Sequence, residues 1–160
     1  MVVFIGYAIV NLAALIVFFR FERNSLHVLE ILTYWLAATV LFQNYSAFFT
    51  MNINYMVVPE RLSLELAHLL NRIVLYPVFA LIYLNRYATA AGSSDRSLWT
   101  LGAILFFAGL EWLADWTGVL RHMPEWQLWW SFAWWCLFTL VLLAVYHAFR
   151  TQLTKELAQS

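Results

Sequence analysis

Residues 98–116 read LWTLGAILFFAGLEWLADW. A run of about 20 mostly apolar residues is what an α-helix needs to cross a bilayer. The length of the run and its lack of period-two alternation select helix over strand. Inside it stand two carboxylates, Glu111 and Asp115, four positions apart and therefore on one helical face. A charge within a bilayer costs at least ~2.5–3.5 kcal/mol on insertion scales, so such residues mark partners and sites.

Four further runs flank this one. They cover about Val2–Phe19, His27–Thr50, Leu62–Leu84 and Trp126–Ala148, and the five together predict an all-α, polytopic membrane bundle in a single domain, 1–160. Breakers fall between them: Pro59, the Ala-Gly-Ser-Ser run at 91–94, and Pro124. Pro77 lies inside the third run and predicts a kink there. The first run lacks a basic leading segment and an A-x-A site, and reads as a span rather than a removable signal peptide.

Composition agrees. Hydrophobic residues make up 64% and charged residues 11%, against roughly 45–50% and 25% in ordinary soluble domains. So much apolar surface would aggregate in water, and lipid is the solvent that fits. Nine basic residues balance nine acidic ones, which leaves no global field to attract nucleic acid. The lone Cys136 cannot form an internal disulfide and reads as a small buried hydrophobe.

Orientation follows from the basic residues. Arg20, Arg23, Arg86, Arg96, Arg150 and Lys155 all fall on one side, leaving Arg61 and Arg121 on the other. The positive-inside rule then puts the N-terminus outside and the C-terminus inside a plasma membrane.

The third run carries Glu65, His68, Arg72 and Tyr76, spaced 3, 4 and 4, on one face of an ideal helix. Depth can be read from the helical rise of ~1.5 Å per residue. Arg72 then lies roughly 21 Å from the boundary at Arg86, and Glu111 roughly 22 Å from that at Arg96. The expectation is a ladder in the outer half of the membrane, Arg72 with Glu111 and His68 with Asp115. Either it is an ion pair that fixes helix register, or it lines a cavity. In the cavity Glu111 and Asp115 would exchange protons and Arg72 would hold an anionic head group.

Asn44, on one broad face of the second run with Glu30 and Tyr34, is placed to reach that pocket. Glu30 itself reads as an interfacial ion partner near Arg20 and Arg23. Asn11, four after Tyr7, predicts an interhelical hydrogen bond. Aromatic residues reach 19%, and Trp129, Trp130, Trp134 and Trp135 are either interfacial anchors or an aromatic wall. Four histidines, at 27, 68, 122 and 147, offer no helix with the depth separation of two stacked haems, and no H-E-x-x-H motif accompanies His68, Glu111 and Asp115. No cofactor or metal is expected.

Several motifs carry a family resemblance. Leu75-Tyr76-Pro77 in the third run is followed by Glu111-Trp112-Leu113-Ala114-Asp115, Thr117, and a last run opening with Trp126, Trp129 and Trp130. This order resembles a family of small multi-pass membrane proteins of spore-forming Gram-positive bacteria that has no established activity. The resemblance implies a compact helical fold and a role for Glu111 and Asp115, and Arg72 departs from its pattern.

The candidate site is therefore Glu111 and Asp115 as an acid–base pair, with Arg72, His68, Tyr76, Asn44, Trp112 and Trp130 as ligand contacts. A lipid- or isoprenoid-like ligand, or docking of a second copy or another membrane subunit, is the leading expectation. An enzyme acting on a lipophilic substrate is the alternative. A proton-coupled transporter subunit stands third, since no inverted repeat is visible.

Overall fold

A computed structural model describes residues 1–22 and 25–157. Arg23, expected beside Arg20 at the close of the first span, lies outside the described residues. The described residues fold into five continuous helices. The first is α1 (Val2–Val17), prolonged by a π-helical turn, Phe18–Glu22. The second is α2 (Val28–Ala47), prolonged in the same way over Phe48–Asn52. The third joins α3 (Leu62–Leu70) to α4 (Tyr76–Thr89) through a π-helical turn, Asn71–Leu75. The fourth and fifth are α5 (Ser93–Trp116) and α6 (Leu128–Leu157).

Among the described residues, four of these helices are long and apolar enough to cross a membrane: Val2–Glu22, Leu62–Thr89, Ser93–Trp116 and Leu128–Leu153. The α2 helix has the length, but Glu30, Gln43 and Asn44 make it more polar. The α3–α4 helix is the hub. Its most apolar stretch is 56% buried, against 22% for those of α1 and α5 and 28% for that of α6. Those outer helices turn Ile9, Leu12, Leu101, Leu105, Leu137 and Leu140 outward, a surface suited to acyl chains and not to water. Cys136 lies on this exposed side, not in the core as expected.

Helices run past the apolar stretches that announce them, because backbone hydrogen bonding continues into polar residues at a membrane boundary. Thus α5 begins five residues early, at Ser93, and the third helix runs on to Thr89. His27 starts α2: its Nδ1 accepts the Leu29 N–H at 3.3 Å, while Glu30 accepts the His27 N–H at 2.7 Å. That reciprocal capping satisfies two otherwise orphaned donors.

Pro77 cannot donate to the carbonyl of Ile73, four residues back. That carbonyl instead accepts the indole N–H of Trp35 at 3.0 Å, and the preceding π-helical turn closes with Tyr76 N–H to Asn71 C=O. The Asn11 amide donates to Asn71 Oδ1 at 3.3 Å, tying α1 to the same turn.

Two connections meet at one end of the bundle. There β1 (Met56–Val57) pairs antiparallel with β2 (Arg121–His122), with Met56 opposite His122. The chain reaches β2 through a glycine stop. Gly118, at φ 74°, donates to the Asp115 carbonyl at 2.9 Å and Val119 to the Ala114 carbonyl at 2.9 Å. This is the Schellman pattern, which a residue with a Cβ adopts only under strain. The opposite end gathers Glu22, Arg86, Arg96 and Arg150, with Glu22 paired to Arg86.

Candidate functional site

Glu111 is the centre of the polar interior. It projects from α5 with 1% of its surface exposed, and both its oxygens are engaged. Oε1 accepts from the Tyr45 hydroxyl at 2.9 Å, from Ser131 at 3.0 Å and from His122 Nε2 at 2.9 Å. Oε2 accepts the indole N–H of Trp135 at 2.6 Å. Four donors thus converge on one carboxylate from α2, α6 and the β2 segment, which offsets much of the cost of keeping it in an apolar interior. The aromatic rings seal it. Trp135 is fully buried and stacks on Tyr76 at 5.3 Å and Phe107 at 5.0 Å, and Trp134 stacks on Tyr45 at 4.6 Å.

His122 stands between two carboxylates. Its Nε2 meets Glu111, its Nδ1 lies 3.4 Å from Asp115 Oδ2, and its backbone N–H donates to Asp115 Oδ1 at 3.0 Å. An ionised carboxylate can only accept, so this setting is best served when both ring nitrogens carry protons. Burial pushes the His122 pKa down, but the hydrogen bond and charge of Glu111, with help from Asp115, outweigh it and leave the pKa raised. Trp126 stacks on the imidazole at 4.7 Å and donates to Ser131 at 3.3 Å. The result is a graded chain: Asp115 is 41% exposed at its side chain, His122 10% and Glu111 1%.

The expected ladder does not form. Among the described residues Arg72 makes no ion pair with Glu111, and His68 bonds Ser46 at 3.2 Å in place of Asp115. The π-helical turn at Asn71–Leu75 takes more residues per turn than an α-helix, so Arg72 and Tyr76 do not keep the four-residue spacing of one face, while Glu65 and His68 lie before it in regular helix and already differ in burial. His68 and Tyr76 are buried while Arg72 is only half-buried and Glu65 is exposed.

Arg72 and His68 instead line a cavity of about 550 Å³ beside β1, with Ser46, Thr50, Met56 and Glu65 among its walls. The Nε of Arg72 is itself buried and meets no hydrogen-bond partner. A second, much smaller cavity of about 10 Å³ touches His68, Asn71, Tyr76, Ser46 and Glu111. Ser46, Met56 and His68 border both spaces and stand between the open cavity and the sealed carboxylate.

The remaining candidates divide. Tyr76 lies in the aromatic core and lines the small cavity. Asn44 is exposed and bonds back to the Val40 carbonyl at 2.9 Å, so it does not reach the pocket. Trp112 is 55% exposed on the outer face of α5, away from Glu111 on the same helix. Trp130 stacks on Trp129 at 4.1 Å near the helix start and lines neither cavity. Glu30 approaches Arg150, at 3.9 Å, rather than Arg20. Tyr45, Ser131 and Trp135 are donors that helical spacing alone does not reveal. His122 enters the sequence reading only as one of four histidines weighed for haem, in a connection with no periodicity to read. Compared with protein-family models, curated proteins and solved structures, the chain has no match.

Proposed function

We propose that this chain is a five-span integral membrane protein that holds a lipid- or isoprenoid-like amphiphile by an anionic end in the Arg72 cavity. The fifth span is α2, which packs one face on α4 and α6 and turns Leu32, Leu36 and Val40 outward. The N-terminus lies outside and the C-terminus inside a bacterial plasma membrane, because Arg20, Arg86, Arg96, Arg150 and Lys155 share one end. The cavity then belongs to the outer half of the bilayer. The resemblance to the small membrane proteins of spore-forming bacteria is part of the same proposal.

The observation that carries the reading is the Arg72 guanidinium, with its buried Nε unpartnered beside about 550 Å³ of space. That volume is within the usual range for small-molecule sites. A planar cation with spare donors suits a phosphate or carboxylate, and Met51, Met56 and Leu69 suit an apolar body.

The test is native mass spectrometry with lipid extraction on detergent-purified wild type, Arg72→Ala and Arg72→Lys. The expected result is a defined co-purifying amphiphile, absent from Arg72→Ala and reduced in Arg72→Lys. An empty wild type, or equal occupancy in folded Arg72→Ala, sinks the reading.

A second reading, acid–base catalysis on a lipophilic substrate, rests on the Asp115–His122–Glu111 chain. In it the reachable Asp115 and His122 would exchange protons with substrate, and sealed Glu111 would hold the imidazole in place. Recovery of the bound amphiphile unchanged after long incubation with wild type excludes that reading and leaves binding intact.

A further inference from the structure

The Arg72 cavity is walled by a carboxylate as well as a guanidinium. Glu65 stands in the first turn of α3 and Arg72 in the π-helical turn that follows, and both line the same space of about 550 Å³. The step from 65 to 72 is two helical turns, roughly 10 Å along the axis. The two side chains do not pair with each other, and among the described residues neither joins an ion pair with any other group. Arg61, one turn before Glu65, is the cation best placed to neutralise it, and it too makes no ion pair there. Opposite charges that line one cavity and leave each other unmatched are complementary to a ligand that carries both signs.

The order of the groups decides how such a ligand lies. Glu65 is near the start of the spanning helix, at its boundary, and Arg72 is deeper. Leu69, which lines the cavity, and Ile73, just past Arg72, are exposed on the same helix. A glycerophospholipid presents its groups in that sequence from the boundary inward: terminal ammonium, phosphate, then acyl chains. The walls also select the kind of ammonium. A quaternary ammonium is held by aromatic faces, and among the described residues no Phe, Tyr or Trp lines this space. A primary ammonium has three N–H donors and needs acceptors. Glu65 supplies two oxygens. Thr50, whose hydroxyl donates to the Ser46 carbonyl at 2.6 Å, keeps lone pairs that can accept a further one.

We propose that the amphiphile of the Arg72 cavity is a zwitterionic glycerophospholipid with a primary ammonium, its phosphate on Arg72 and its ammonium on Glu65. This rests on the reading of that cavity as an amphiphile site and adds to it the sign and place of a second charge.

The full-length protein in detergent is titrated with dioleoyl phosphatidylethanolamine, phosphatidylglycerol or phosphatidylcholine, and bound lipid is counted by native mass spectrometry. Wild type is expected to retain one phosphatidylethanolamine roughly tenfold more strongly than either of the others, the scale of one charge-assisted contact. Glu65→Gln, which keeps the shape of an exposed side chain and removes its charge, abolishes that preference. Arg72→Ala weakens retention of all three lipids. A wild type that holds phosphatidylglycerol at least as well as phosphatidylethanolamine, with both lost in Arg72→Ala, overturns the proposal and leaves the anionic-end reading standing. Full preference in folded Glu65→Gln overturns it, and so does equal retention of phosphatidylethanolamine and phosphatidylcholine by wild type. Wild-type retention of all three lipids by folded Arg72→Ala would instead remove the cavity as an amphiphile site, and both readings fall together.

Discussion

Glu111 and Arg72 are charges of opposite sign on packed helices, at matching depths along the chain, and their surroundings could hardly differ more. Glu111 has four donors on two oxygens and no space beside it beyond about 10 Å³. Arg72 has about 550 Å³ beside it and a buried nitrogen without a partner. A ligand arriving at Glu111 would have to break bonds already made, whereas an anion arriving at Arg72 would displace no ion pair among the described residues. Hydrogen-bond saturation, rather than charge, separates a structural ion from a binding group.

The sharpest way to break this comparison is to remove the saturated charge. Glu111→Leu strands the Tyr45, Ser131 and Trp135 donors and leaves the imidazole of His122 without its inner carboxylate. The expected loss is about 3–5 kcal/mol, the range for breaking a buried ionic contact from one side. It is read as a fall in the unfolding midpoint in detergent. A midpoint close to wild type would mean that the carboxylate is not the keystone of the bundle.

The backbone that delivers His122 to Glu111 comes next in size. Gly118→Ala places a Cβ on a residue at φ 74°, although nothing crowds the site itself. The expected cost is about 1–2 kcal/mol from the left-handed conformation alone. Gly118→Asn should recover part of it, since Asn tolerates that region better. Equal loss in both variants would point to a cause other than the backbone angle.

A smaller effect tests the charge on His122. Its folded pKa is raised above the ordinary value of 6.5 by Glu111 and Asp115. A raised folded pKa contributes stability that is fully present below the unfolded value and is lost as pH climbs through the folded one. The unfolding midpoint should therefore decline as pH rises from about 6.5 upward, over the range where an imidazole titrates. His122→Gln should flatten that slope, and an identical slope in the variant would assign it to another group.

The fold was legible because membrane spans are written in composition: long apolar runs with charges at their ends have few other homes. What did not carry over was rotation about the helix axes. A rise per residue placed Arg72 and Glu111 at one depth, but depth is a single coordinate. The π-helical turn at Asn71–Leu75 changes the facing of Tyr76 relative to Arg72, and nothing in a 3-4-4 spacing announces it. His122 lies in a connection with no periodicity to read. Pro124 marks a break between the last two runs, but a breaker does not say where the returning chain sets down an imidazole. The tryptophans show the same limit, since Trp129 is exposed, Trp134 packs on Tyr45 and Trp135 is sealed in the core, although all three lie within seven consecutive positions.

The smallest expected effect is the most discriminating. Arg72→Leu removes a half-buried cation whose Nε has no partner, so little that is satisfied is lost, and the leucine adds apolar contact beside Leu69. Stability should change by less than about 1 kcal/mol in either direction. The same variant should lose the co-purifying amphiphile. A fold that tolerates the change while the ligand disappears is the opposite of what Glu111→Leu should show, and that contrast is the core of the distinction between the two charges. Were Arg72→Leu instead as damaging as Glu111→Leu, the guanidinium would be holding the bundle together, and the cavity beside it would be a packing defect with no claim to be a site.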